Sequence, residues 1–210
     1  MKKYDIVLVS VNSPVMLGVY DNCKLVFFII IDGKTSDILP FVFANIFTDS
    51  VESSKVKIIE CGIYKDFSSK NSNILESSFL DSKSSDFIES NFTMLAQFSD
   101  FKDIYYARGV GSLSSIKLTH IFLQTLHLTR DIKLHATNSF YFSPNNEIKA
   151  FGAMSFFLKD SIESNLDSNL EKQIFIAKSS QHIESLKLPL SLQKNAFNEP
   201  CSPLYITPAL

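Results

Sequence analysis

Two glycines and a serine separate a strand-like run from a long helix-like run, in the stretch Arg108-Gly109-Val110-Gly111-Ser112. Backbone N–H groups at the start of a helix, together with the helix dipole, can bind a phosphate or another anion. The stretch lacks the Lys-Ser/Thr pair of a Walker A loop and the third glycine of a dinucleotide-binding loop. Most two-glycine turns only allow the backbone to reverse tightly. The residue types therefore permit anion binding but favour a structural role.

The other residues that could do chemistry do not form a recognisable motif. His120 and His127 are two turns apart on one predicted helix, too far for joint zinc ligation, and no H-x-x-x-H motif occurs. There is no G-x-S-x-G motif and no C-x-x-C pair. In the first hairpin, where sugar kinases and actin-like ATPases hold a metal-associated aspartate, Ser10, Val11 and Asn12 supply no carboxylate. We therefore expect no catalytic residue, no metal site and no cofactor bound by this chain alone, and we expect the isolated chain to be inactive.

Composition narrows the class of protein. The formal net charge of −2 among 210 residues gives no electrostatic reason for this chain alone to bind nucleic acid. The most apolar run, residues 25–31, has the length of a strand and is far shorter than a membrane-spanning helix. Three widely spaced cysteines are typical of reduced thiols in a cytosol. We expect a soluble cytoplasmic protein without a membrane segment.

Strand and helix patterns alternate along the chain. Short turns between β-branched and aromatic runs predict antiparallel strands, and apolar residues at helical spacing predict two long helices. A Ser/Asn-rich insertion at about 53–100 reads as a surface segment, with pieces at 56–61 and 87–98 that could be ordered. The predicted strands are 4–11, 15–20, 24–31, 103–107 and 131–136, and further strand-like runs lie at 147–160 and 172–179. The first long helix is predicted to begin at Ser36 or Asp37 and the second at Ser112. A short helix is predicted to begin at Thr137 or Asn138.

This order of elements predicts an α/β fold of the ribonuclease-H-like kind found in actin-like ATPases, with helices on a mixed sheet. We expect two lobes: residues 1–137, which include the insertion, and a small second lobe of residues 138–210.

The long helix has apolar residues on two opposite sides, whereas a helix on the sheet of a monomer needs only one. The second side could be covered by another lobe, by another chain or by the insertion. The first helix shows the same surplus, so the two helices together suggest a docking site of the helix-bundle type. One apolar stripe of the long helix consists of Ile116, Phe122, Leu123 and Leu126, and the other of Leu118, Ile121 and Leu128.

The stretch YYARGVGSLSSIKL resembles the signature of the bacterial TsaB family, usually a form of G-R-G-P-G-S-F-T-G-L-R after a strand. The opening strands, the segment GKTSDILPFVFANIF and the closing PLYI are also similar, so the resemblance covers most of 4–45 and 104–142. Arg108, Gly109, Gly111 and Ser112 match the family's residue types. The family's next glycine is replaced by Ser115, which argues against close approach of a phosphate.

The resemblance implies a non-catalytic scaffold subunit of the complex that forms N6-threonylcarbamoyladenosine in tRNA. Such a chain binds and activates the catalytic paralogue TsaD, acts together with the ATPase TsaE, and forms a homodimer when TsaD is absent. It meets tRNA only through the complex, and ATP and a divalent metal are expected on the partners. Carried onto this chain, the docking residues are Ile38, Phe41 and Val42 on the first helix and Leu118, Ile121 and Thr125 on the second.

Two other functions remain open at this point. The chain could be an independent enzyme of the actin-like fold, such as a small-molecule kinase or a metallopeptidase-like relative. It could also be a homodimeric interaction module with an unrelated partner.

Overall fold

The structure is a computed structural model, and it describes residues 4–48, 57–63, 98–158, 174–179 and 184–206. The described strands are β1 Tyr4–Val9, β2 Val15–Asp21, β3 Lys24–Asp32, β4 Lys57–Ile63, β5 Phe101–Ala107, β6 Lys133–Thr137, β7 Glu147–Lys149, β8 Met154–Leu158 and β9 Ile174–Lys178. The helices are α1 Thr35–Thr48 and α2 Leu113–Arg130, with short 3-10 helices at Ser139–Phe142 and Lys194–Ala196.

The first three strands form a meander because their turns suit tight reversals. Asn22 and Cys23 both have positive φ, at 49° and 64°, as the two central residues of a type I′ hairpin turn require. Asparagine tolerates this conformation well, which explains why β2 and β3 are joined by only two residues.

Six strands make one mixed sheet in the order β4-β3-β2-β1-β5-β6. The strands β1, β5 and β6 run parallel, and β2 is antiparallel to both of its neighbours. This is the strand order and direction of the ribonuclease-H-like lobe predicted from the sequence, with β4 added at one edge, so the prediction of the α/β fold is confirmed. The strand β4 comes from the segment predicted as an insertion. Of the possible helix predicted at 87–98, all but Phe98 lies outside the described residues.

Both faces of this sheet are covered, which explains why its strands are apolar almost throughout. On one face α1 and α2 pack over a core of Ile6, Leu8, Leu17, Val19, Phe27, Ile29, Phe43 and Leu123, among others. The opposite face carries Val7, Val9, Tyr20, Phe28 and Tyr105, and it is covered by Phe142, Leu192 and Phe197.

A second, three-stranded antiparallel sheet has the order β7-β8-β9. Its Ile148, Phe156 and Ile174 form a third cluster with Val110 and Leu204. Residues 184–200 return to the six-stranded sheet rather than staying with the second one, since Leu192 and Phe197 belong to the core over β1. The division at residue 138 stays a prediction. Neither α1 nor α2, the long helices of the described residues, is apolar and long enough to cross a membrane.

Candidate functional site

The glycine loop follows β5 and leads into α2, and its second half lies directly on the first hairpin. The backbone N–H of Ser112 donates to the carbonyl of Val11 at 2.7 Å and to Asn12 Oδ1 at 2.9 Å. A Cβ on Gly111 would lie 2.5 Å from the Val11 carbonyl oxygen, so only glycine allows this approach. The N–H of Ser112 is therefore already occupied by the chain itself.

The first half of the loop lies against the segment around Leu204. Gly109 has φ +135°, and a Cβ there would lie 2.4 Å from the carbonyl oxygen of Leu204. The Gly109 carbonyl accepts a hydrogen bond from Ser139 N at 2.6 Å. Both glycines thus serve close packing of backbone on backbone, which is the structural role that the residue types favour.

The side chain of Arg108 bonds to other residues of the chain. Its Nη1 lies 2.9 Å from Glu199 Oε2, and its Nε donates to the carbonyl of Ser202 at 2.7 Å. The Arg108 side chain is only 10% exposed. The sequence did not reveal this partner, because Glu199 is 91 residues away.

Asn12 lies in the first hairpin, in the stretch Ser10, Val11 and Asn12 that supplies no carboxylate. Its Oδ1 accepts from Ser112 N, and its Nδ2 donates to the carbonyl of Lys149 at 3.2 Å. Nearby, Ser13 Oγ donates to Asp32 Oδ1 at 2.7 Å. In the part of the chain that the structure describes, no group of three or more His, Cys, Asp or Glu side chains could hold a metal ion.

The two apolar sides predicted for α2 are both present, and the structure decides which one faces the sheet. Ile116, Leu123 and Leu126 are buried, as is Thr119, whose Oγ1 lies 2.7 Å from Ser10 Oγ. On the opposite side the exposed fractions are 41% for Leu118, 63% for Ile121 and 81% for Leu128, and Thr125 is exposed as well. The described chain thus leaves an apolar strip on α2 uncovered, which we call the α2 ridge (Leu118, Ile121, Thr125 and Leu128).

The prediction of docking residues on α1 is wrong, because the side of the helix that carries them does not face solvent. Ile38, Phe41 and Val42 are 0%, 9% and 2% exposed and belong to the main core. The reason is that α1 packs against the sheet on one side and against α2 on another, so most of its circumference is buried. Its exposed positions are Ser36, Asp37, Pro40 and Ala44.

Two neighbours flank the α2 ridge. On one side α1 is joined to α2 by the rings of Phe43 and Phe122, whose centroids are 5.3 Å apart. On the other side Lys117 lies over the ring of Tyr205, at 5.9 Å from its centroid. The ridge therefore lies between α1 and the segment that contains Tyr205.

Two of the histidines, His127 and His135, make contacts within the fold. Nδ1 of His127 lies 2.7 Å from the carbonyl oxygen of Ile132, just after the end of α2. His135 Nε2 lies 2.8 Å from Asp103 Oδ1, and its ring stacks on Tyr105 with centroids 4.6 Å apart. Cys23, Cys61 and Cys201 are all free thiols.

A polar pocket of about 300 Å³ lies where β1 and β5 begin, at the end of these strands opposite to the glycine loop. Within it, the Lys194 ammonium lies 2.7 Å from Asp5 Oδ2. Burial lowers the pKa of Lys194, but the hydrogen bond and charge of Asp5 outweigh burial, so this pKa is raised. Burial raises the pKa of Tyr105, partly offset by Lys194. This cluster joins residues from distant parts of the chain, so no local sequence motif marks it.

Comparisons with known proteins add a weak structural likeness. No protein-family model matches the sequence, and no curated protein gives a significant match. The chain is similar to the structure of YeaZ from Pseudomonas aeruginosa, with 10% identity and a TM-score of 0.39 over 84% of this chain and 65% of that one. A second structure is described as an uncharacterized protein with similarity to peptidase YEAZ from Pseudomonas aeruginosa; it has 7% identity and a TM-score of 0.36, over 84% of this chain and 64% of that one.

The chain therefore spans just under two thirds of the length of these two proteins.

Proposed function

We propose that this chain is a non-catalytic, partner-binding subunit of the TsaB kind, acting in the complex that forms threonylcarbamoyladenosine in tRNA. Its partners in this proposal are a TsaD-like paralogue and a TsaE-like ATPase, with self-association when the paralogue is absent. ATP and a divalent metal belong to the partners. YeaZ is the name for TsaB in Pseudomonas, but the proposal rests on the loop residues and on the geometry of α2.

The exposed α2 ridge is the observation that carries the proposal. Isolated exposed apolar residues are normal on a protein surface, but a contiguous strip marks an interaction site. Leu118, Ile121 and Leu128 lie within three turns of one helix and are 41%, 63% and 81% exposed. A helix from a partner can bury such a strip in the manner of a helix bundle.

The glycine loop supports the non-catalytic part of the proposal. The N–H of Ser112 is bonded to Val11 and Asn12, and Arg108 is bonded to Glu199, so these groups do not face an open phosphate site. Asn12 supplies no charge to a metal ion, and transfer of a phosphoryl group depends on charge stabilisation around the metal and phosphates.

The decisive experiment places a charge on the ridge with Ile121→Glu. Ile121 is 63% exposed, so we expect the free energy of unfolding to change by less than about 0.5 kcal/mol. In a dry helix–helix contact the unpaired carboxylate should weaken association by roughly 3–5 kcal/mol. That loss would bring a micromolar interface, worth about 8 kcal/mol, to millimolar dissociation constants.

The matched control is Ile59→Glu, because Ile59 on β4 is similarly exposed at 51% but lies away from α2. Sedimentation, binding to the TsaD-like partner and thermal melting should distinguish the two variants. Association that survives Ile121→Glu at wild-type strength would refute docking through the ridge. Rapid ATP hydrolysis by the isolated wild-type chain would instead favour the independent enzyme.

A further inference from the structure

Residues 184–206 cross the molecule as one segment that contains the short 3-10 helix Lys194–Ala196, and we call this segment the strap. Its first half holds the β2–β3 hairpin through backbone hydrogen bonds. Leu25 N donates to the Leu190 carbonyl at 3.0 Å, and Leu192 N donates to the Cys23 carbonyl at 2.8 Å. The strap thus begins as an addition to the first sheet.

The middle of the strap passes the edge strand β6 and reaches a largely buried ion pair. Glu199 Oε2 lies 2.9 Å from Arg108 Nη1, and the two side chains are 18% and 10% exposed. The other oxygen, Glu199 Oε1, accepts from Asn138 Nδ2 at 2.7 Å and from Asn138 N at 3.2 Å. One carboxylate therefore joins the strap, the glycine loop and the chain after β6.

The end of the strap contacts two further elements. Leu204 is 1% exposed and lies in the cluster that contains Ile148 and Phe156 of the second sheet. Before it, the carbonyl of Cys201 accepts from Gln124 Nε2 of α2 at 3.4 Å. Arg108 also holds this part of the strap directly, because its Nε donates to the carbonyl of Ser202 at 2.7 Å and its own carbonyl accepts from Leu204 N at 2.9 Å. Both contacts of the strap's end therefore depend on where Arg108 and Glu199 hold the chain.

We propose that the strap is a clasp that couples the second sheet and the flank of α2 to the first sheet, with the Arg108–Glu199 pair as its latch. Removing Glu199's charge leaves the guanidinium of Arg108 largely buried without its counter-charge, and such a group gains by moving into water. The chain from Glu199 to the end of the strap then detaches as one unit. Its release frees the flank of α2 and the inner side of the second sheet together.

Hydrogen exchange on the full chain tests this coupling with Glu199→Gln. We expect exchange roughly ten- to a hundredfold faster in peptides from 199–206, 113–124 and 147–158, with β1 and β2 unchanged, since local opening raises exchange only in the unit that opens. The matched control is Glu184→Gln, which removes an exposed ion pair with Lys187 within the strap and should change no peptide by as much as twofold.

The remaining outcomes overturn the clasp. Faster exchange confined to residues 199–202 would mean that the pair holds only its own surroundings. Equal acceleration everywhere, β1 and β2 included, would mean that the strap opens only when the whole protein unfolds. A second variant, Leu204→Ala, should accelerate 199–206 and 147–158 together, and acceleration in 199–206 alone would also refute the coupling.

Discussion

Gly109→Ala tests whether the glycine loop exists for packing. At φ +135° an alanine is strained by about 1–3 kcal/mol. Its Cβ would also lie 2.4 Å from the backbone oxygen of Leu204, which cannot rotate away as a side chain could. Moving that segment adds roughly 1–3 kcal/mol, typical of overpacking a tight core. The expected loss is therefore about 2–6 kcal/mol in the free energy of unfolding, or a melting temperature lower by roughly 4–24 °C.

The matched control is Gly152→Ala. Gly152 also has a positive φ, +58°, but a Cβ there meets nothing within 4 Å. Its substitution should cost only the strain of the left-handed conformation, about 1–2 kcal/mol. Urea denaturation and calorimetry of both variants give the comparison. If Gly109→Ala is no more destabilising than Gly152→Ala, the loop does not depend on the contact with Leu204. If Gly109→Ala instead abolishes ATP binding by a chain of unchanged stability, the phosphate-binding interpretation is correct.

Two further predictions concern buried polar groups. Thr119→Val should destabilise the protein by about 1–3 kcal/mol, because the hydroxyl of Ser10 is 0% exposed and loses its partner at 2.7 Å. Adding Ser10→Ala should recover part of this loss. Equal stability of Thr119→Val and wild type in urea denaturation would contradict the prediction. Burial raises the pKa of both Tyr105 and Tyr106 from the ordinary value of 10.0. The folded state therefore keeps protons that the unfolded state loses, so the stability from these tyrosines is fully present below about pH 10 and is lost above it. Absorbance titration should show these two phenols ionising at a higher pH in the folded protein than in the urea-unfolded chain, and ionisation at the same pH in both states would contradict the prediction.

The sequence predicted the sheet well because its signals are local. Runs of β-branched and aromatic residues between turn formers located β1, β2 and β3, and a helix pattern after two glycines located α2 to within a residue or so. The short helix predicted after residue 137 is a 3-10 helix, Ser139–Phe142, and Asn138 caps it by accepting from Phe140 N. Each of these features depends on neighbours within a few residues.

The orientation of the helices was harder to predict, because the partners of a helix face are far away in sequence. On α1 the apolar residues cover more than one side, so periodicity alone could not show that Ile38 and Phe41 face the core. On α2 the apolar periodicity predicted two opposite stripes correctly, but it could not show which stripe faces the sheet. Two ion pairs, Arg108 with Glu199 and Asp5 with Lys194, join residues far apart in the chain, so no local sequence pattern predicts them.

The side chain of Asn12 links the first hairpin to the glycine loop and to β7. Asn12 accepts a hydrogen bond from Ser112 N and at the same time donates one to the carbonyl of Lys149. An amide can do both, whereas an ionised aspartate can only accept and would face the Lys149 carbonyl with its own negative charge. An aspartate at position 12 would therefore weaken the contact between the first hairpin and β7. At this position the packing of the hairpin on the second sheet favours an amide over a carboxylate, because only the amide can accept from Ser112 N and donate to Lys149 at the same time.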